Sequence, residues 1–221
     1  KEVIHDYGRM ERIFSENIDD FKEWLLVRPT LRMQVWAKVF DNGVIKDKTL
    51  RFNEELSYSE DSEFLLRYVQ SCNTVGAFIR PIYRYSCSGV SAVRTYNPQR
   101  MRGYIKSLEV TAIDVTNESA SVREAYLEYI LAHFNLIAVH DIFDMQIQGS
   151  FINKLRKMKQ LENEPLFRKA LSEIPLRRCL TVQLSPEAFI KCHLNIMAGL
   201  VCYMKAFLNY RAQRKVSIEA T

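Results

Sequence analysis

The sequence predicts an α+β fold, with an N-terminal helix, a small mostly antiparallel sheet carrying a β-hairpin at 31–52, and a C-terminal helical lobe ending in a long buried helix. Three observations carry that expectation. Leu31, Met33, Val35, Ala37 and Val39 alternate with Arg32, Gln34, Trp36, Lys38 and Phe40, and Asp41-Asn42-Gly43 follows as a turn. Further strand-like runs bounded by turn residues continue to Val115, and after Asn117 the apolar spacing becomes helical. Strands followed by helices, rather than alternating with them, argue α+β.

In chain order, Phe14, Ile18, Phe21 and Leu25 recur at helical spacing, with Glu16, Asp19, Asp20 and Glu23 facing away. Arg28-Pro29 ends that helix, because a residue before proline is pushed out of the helical region. The hairpin at 31–52 comes next, its second strand running from Val44 to Phe52. Ser59 to Cys72 reads as a short helix, with Ser59, Glu60, Asp61 and Glu63 supplying caps and N-terminal negative charge. Strands are expected over 77–85, 90–96 and 105–115, the first at a sheet edge because Pro81 lacks an amide donor.

The C-terminal half starts at a capping box, Ser121 with Glu124, ahead of Tyr126, Leu127, Ile130, Leu131 and Phe134. A helix from about Asp141 to Leu161 follows, with Gly149 a weak point. Pro165 opens a short helix that stops before Pro175, and Leu180–Leu184 is a brief extended piece. Ser185-Pro186-Glu187 opens a last helix to about Arg214, apolar nearly all round between Ile190 and Leu208, and such a helix is expected at the centre of its lobe. With 48% hydrophobic and 26% charged residues, 7 Gly, 6 Pro and no low-complexity run, the chain reads as one continuous folded unit. Its sheet portion is 1–118 and its helical portion 119–221.

Charge is distributed unevenly. Residues 1–63 sum to −4, residues 64–108 to +7 and residues 109–221 to +2. The central stretch has no Asp or Glu, and interleaves its arginines and lysine with tyrosines. It is read as an anion-binding surface made of Arg80, Arg84, Arg94, Arg100, Arg102 and Lys106 with Tyr83, Tyr85 and Tyr96: guanidinium groups pair bidentately with phosphate, and tyrosine stacks on bases or sits among lipid headgroups. The opposing reading pairs those cations with the acid-rich first third, Glu54, Glu55, Glu60, Asp61 and Glu63. A secondary basic cluster, Lys154, Arg156, Lys157 and Lys159, lies in a second acid-free run, 145–161.

Motifs for chemistry are missing or badly spaced. The glycines at 8, 43, 76, 89, 103, 149 and 199 are too dispersed for a phosphate loop. Ser86-Cys87-Ser88-Gly89 lacks the first glycine of a nucleophile elbow. His133, His140 and Asp144 stand seven and four apart; His140 and Asp144 could share an ion, but seven residues is two helical turns, about 10 Å, too far for His133 to join them. Cys192-His193 with Cys202 fails because adjacent helical residues point apart. Glu109 and Asp114, five apart on a predicted strand, fall on opposite faces. Asp47-Lys48 reads as a solvated pair.

No metal or cofactor is therefore assigned, and the expected function is a non-enzymatic binding or assembly protein. Its partner is expected to be RNA or an acidic membrane, as in the compact basic domains of viral matrix or nucleocapsid layers, an analogy of type resting on no shared motif. The alternatives are a protein–protein scaffold or oligomerisation domain, homo-oligomeric or with a protein partner, and, third, a metal-dependent hydrolase with a scattered site. Five cysteines, none at CxxC spacing, point to reduced thiols and an intracellular compartment. The charge-free run Cys192–Met204 is 13 residues, short of the ~20 needed to span a bilayer.

Overall fold

The computed structural model describes residues 12–14, 17–78, 82–83 and 99–219. These residues are mostly helical, which overturns the α+β expectation. Extended structure among them is limited to two three-residue strands, β1 (Arg12–Phe14) and, much later in the chain, β2 (Val75–Ala77). They pair antiparallel with Ile13 opposite Gly76. The chain divides into two compact units, Lys1–Thr95 with Arg102–Tyr126, and Tyr96–Met101 with Leu127–Thr221.

In the first unit the N-terminal helix forms as expected, α1 (Ile18–Val27), burying Phe21, Leu25 and Leu26 and stopping at Arg28. The predicted hairpin does not form. Pro29, instead of only ending α1, opens a one-turn helix, α2 (Pro29–Arg32), since proline is pre-set for the first helical position. The Arg32 guanidinium then sits 4.3 Å over the Trp24 ring and donates to the Trp24 carbonyl. Ala37 has φ 56°, incompatible with a strand, and Val39, assigned to the apolar face, is 88% exposed. The turn signal Asp41-Asn42-Gly43 turns out to be a helix start: the Asp41 carboxylate accepts from the Gly43 amide at 2.7 Å, capping α3 (Asn42–Asp47).

The aromatic residues of the supposed hairpin pack by their rings instead. Phe40 meets Phe64 at 5.8 Å and Tyr68 at 4.8 Å, and Phe52 stacks on Phe64 at 4.3 Å. Phe64 and Tyr68 belong to α4 (Glu60–Gln70), the helix expected over 59–72. The predicted strand 105–115 is also helical, as part of α5 (Arg100–Val115). Its glycine explains part of its placement: a Cβ on Gly103 would lie 2.4 Å from Cδ2 of the Tyr58 ring, so α5 approaches that ring by backbone. Of the other predicted strands, 90–96 lies outside the described residues, and in 77–85 only 77, 78, 82 and 83 are described, of which Ala77 ends β2 and the rest are not in a strand.

Helix α6 (Ala120–Ile137) begins slightly before the predicted box, with the Ser119 hydroxyl accepting from the Val122 amide. It widens into a π-helical turn at Ala138–Ile142, closed by the Phe143 amide on the Ala138 carbonyl. The predicted helix from Asp141 to Leu161 is therefore cut. Gly149 takes φ 138°, open to glycine, and Ser150 caps α7 (Phe151–Glu162). Next come α8 (Pro165–Glu173), which matches its predicted limits, and a short α9 (Leu176–Cys179).

The expected last helix is two. α10 (Ser185–Lys191) ends where the Leu194 amide reaches the Phe189 carbonyl at 2.8 Å and the His193 amide the Ile190 carbonyl at 2.9 Å. Those two bonds are a Schellman stop with His193, φ 61°, in the left-handed position that glycine normally takes. α11 (Asn195–Glu219) then runs for 25 residues. It is not the buried helix the sequence predicts, because only Ala198, Gly199, Cys202 and Ala206 of its central stretch are fully covered.

Candidate functional site

The nine residues predicted to form the basic surface meet different fates. Arg80, Arg84, Arg94, Tyr85 and Tyr96 lie outside the described residues. Arg100 is 3% exposed, with Nε 3.0 Å and 3.3 Å from the two carboxylate oxygens of Asp141 and Nη2 3.3 Å from the His140 carbonyl. Lys106 reaches Glu55 at 3.1 Å, through both the carboxylate and the main-chain carbonyl. Arg102 is exposed and makes no ion pair among the described residues. Tyr83 is exposed on one side and stacked on Trp36 on the other, at 5.5 Å.

The secondary cluster is also divided. Lys154 is buried and donates to the Asp144 carbonyl at 2.8 Å, Arg156 donates to the Asn153 side chain at 3.0 Å, and Lys159 pairs with Glu162 at 2.5 Å. Only Lys157 stands exposed with no such contact among the described residues.

His133 is fully buried, its Nδ1 2.9 Å from the Tyr129 carbonyl, and burial pulls its pKa down to about 4. Among the described residues no three His, Cys, Asp or Glu side chains are grouped to hold a metal ion, and no helix is long and apolar enough to cross a membrane. Glu109 and Asp114 lie on α5 rather than on a strand.

The side chains the structure does bring together belong to α11. Its inner face is fixed by polar groups as well as by packing. The Lys205 ammonium donates to the Gln183 carbonyl at 2.9 Å, and the Asn135 amide from α6 donates to that same carbonyl at 2.9 Å and to Glu187 of α10 at 3.0 Å. Glu187 is 0% exposed, and the loss of water around it raises its carboxyl to about 8. The neighbouring Cys202 thiol is pushed up to about 12, first by burial and then by the charge of Glu187. Burial draws Lys205 the other way, downwards. The inner side of α11 is thus committed to the fold, and Gly199 comes so close to α7 that a Cβ would lie 2.3 Å from Cδ2 of Leu155.

What remains is the outer side. Ile196 (64% exposed), Leu200, Tyr203, Met204, Phe207 and Leu208 (55%) recur at spacings of three and four, a continuous apolar stripe on a helix whose opposite side is already packed. No acidic residue lies between Asn195 and Ala212. Beside the stripe is an open cleft of about 490 Å³, lined by Met145, Ile147, Phe151, Leu200 and Tyr203 together with the polar Gln148 and Lys154. Phe151 meets Tyr203 edge-on at 6.2 Å and forms one wall. An apolar stripe beside a partly apolar cleft can seat another helix.

The sequence reading placed this helix at the centre of its lobe and, in the scaffold alternative, packed it in an oligomer, without naming the residues of the stripe; the signal was that a helix apolar on all sides must be covered on all sides. No protein family, curated protein or solved structure matches this chain.

Proposed function

We propose that this chain is a non-enzymatic assembly module that docks a protein partner on the outer face of α11. The single observation supporting this is the stripe Ile196, Leu200, Tyr203, Met204, Phe207 and Leu208, left uncovered on a helix anchored from behind. Six large apolar side chains exposed side by side on one helix face make a contiguous patch, and such patches mark interaction sites. The reading in which a basic, tyrosine-rich surface takes RNA or an acidic membrane is weaker here. Arg100 and Lys106 already bind carboxylates, and a guanidinium matched inside its own unit has no bidentate face left for phosphate. Among the described residues that second reading keeps Arg102, Tyr83 and Lys157, while Arg80, Arg84, Arg94, Tyr85 and Tyr96 lie outside them. The free thiols of Cys72, Cys179, Cys192 and Cys202 fit work in a reducing compartment.

Salt dependence separates the two partner classes. Association measured by light scattering, alone and with single-stranded RNA or acidic vesicles, is compared at about 0.05 M and about 1 M salt, where charge interactions are screened within about 3 Å. Apolar docking persists or strengthens at high salt. Binding that appears only with RNA or vesicles and vanishes at high salt would replace this reading with the basic-surface one.

A further inference from the structure

We infer that the open cavity of about 300 Å³ between α7, α8 and the end of α10 binds the phosphate group of a small molecule, through Arg168, Lys159, Lys191 and His193. The site lies within the second unit and stands independently of the docking reading. Its lining comes from three helices: Lys159 and Glu162 of α7, Arg168, Leu171 and Ser172 of α8, and Ile190, Lys191 and His193 at the end of α10. Spacings of three and four put the α7 pair, and likewise the α8 residues, on one side of their helix, so the cluster is made by packing and not by one charged run.

Three cations and an imidazole surround the cavity against one carboxylate. That carboxylate, Glu162, is matched to Lys159 at 2.5 Å, and Lys191 donates to the Leu171 carbonyl at 2.6 Å. Neither ammonium is exhausted, because each can donate three times. The other Glu162 oxygen is covered by the protein and presents no acceptor to a ligand. Arg168 is exposed, and among the described residues neither its guanidinium nor the His193 imidazole makes a hydrogen bond. Its whole fork is therefore available, and a guanidinium fork matches two phosphate oxygens.

Helix ends normally compete for such cations, since their last carbonyls carry partial negative charge. Here those carbonyls are bonded already. The Asn163 amide closes α7 on the Lys159 and Gln160 carbonyls at 3.2 and 3.1 Å, the Ile174 amide closes α8 on Ala170 at 3.0 Å, and the His193 and Leu194 amides close α10. The charged groups with bonding capacity to spare are cationic donors, and they select an anion. Size narrows it further. A volume of about 300 Å³ is the lower end for small-molecule sites, and Leu171 and Ile190, 7% and 5% exposed, give the cavity an apolar part, so a phosphate on a short carbon skeleton fits.

Isothermal titration calorimetry on the whole chain, with inorganic phosphate and with glycerol 3-phosphate against sodium chloride at equal ionic strength, tests the site. Saturable binding of one phosphate per chain is expected. Arg168→Gln and Lys159→Gln are each expected to weaken it by about tenfold or more. Lys169→Gln removes the adjacent charge, which faces Glu173 at 4.0 Å, and is expected to leave binding unchanged. All three side chains are exposed, so the variants are expected to keep the wild-type circular dichroism spectrum. Tighter binding of glycerol 3-phosphate would assign the site to a phosphate ester and equal binding to the free ion, and either result supports it. Heats no larger than those with chloride, binding that survives Arg168→Gln, or a loss in Lys169→Gln as large as in Arg168→Gln would overturn it and leave a solvated basic face.

Discussion

The Arg100 guanidinium and the Asp141 carboxylate form a buried pair inside the second unit, with Nε 3.0 Å from Oδ1 and both groups largely out of water. One of the residues predicted to bind an anion is thus spent inside the fold, on the π-helical turn that follows α6. Removing one partner strands a buried charge. Asp141→Ala is expected to destabilise the fold by about 3–5 kcal/mol in chemical denaturation, whereas Arg100→Met with Asp141→Leu is expected to recover most of that loss.

Glu187 makes stability depend on pH. Its carboxyl titrates near 8 in the fold, against an ordinary value of 4.5, because burial disfavours the charge. Between those values the unfolded chain has lost the proton and the native one has kept it, so stability falls as pH rises from about 4.5 to 8. Glu187→Gln keeps an uncharged group beside Asn135 and removes that slope. The variant is expected to gain on wild type as pH rises, reaching about 3–5 kcal/mol at pH 8, and parallel denaturation curves at pH 5, 6, 7 and 8 check it. His133 acts oppositely at lower pH: held neutral down to about 4, it costs stability as pH falls from 6.5, in wild type and variant alike.

The stop between α10 and α11 holds a histidine where glycine would be relaxed. His193→Gly is expected to raise stability by about 1 kcal/mol, since a non-glycine residue in the left-handed region costs about that much. A variant no more stable than wild type in urea would mean the exposed imidazole makes up the strain elsewhere.

Gly103 offers the reverse case. Alanine at an exposed helical position normally gains about 1 kcal/mol over glycine. Here its methyl would meet the Tyr58 ring, which also packs against Tyr104 at 5.4 Å. Gly103→Ala is expected to lose a net 1 kcal/mol or so despite its propensity, because overpacking costs about 1–3 kcal/mol. Thermal denaturation gives the sign directly.

A weaker and more local effect is expected at Ser150, whose hydroxyl accepts from the Asn153 amide at 3.3 Å at the start of α7. Ser150→Ala removes that cap and is expected to cost about 1 kcal/mol. Hydrogen exchange should rise first in the opening turn of α7, and a uniform rise across the second unit would mean the cap is not where the loss occurs.

Chain punctuation and helical spacing were legible in the sequence. Phe21 and Leu25 with Arg28-Pro29 marked α1, the acidic run from Glu60 to Glu63 marked the start of α4, and Pro165 and Pro175 bracketed α8, because these signals act within one or two turns of their own backbone. Alternation from Leu31 to Val39 failed for a related reason: period-two patterning specifies a strand only where a neighbouring strand pays for it with hydrogen bonds, and here Phe40 and Phe52 found the Phe64 ring instead. Whether a cation is free or matched, and whether an all-apolar helix is enclosed or half open, depends on residues far away in the chain. Glu55 lies 51 residues from Lys106 and Asp141 lies 41 from Arg100, and no local pattern encodes such pairings. The sequence by itself determined the limits of α1, α4 and α8 and how apolar α11 is; only the tertiary structure decided which side of α11 the fold consumes, because burial is a property of what else arrives at a surface.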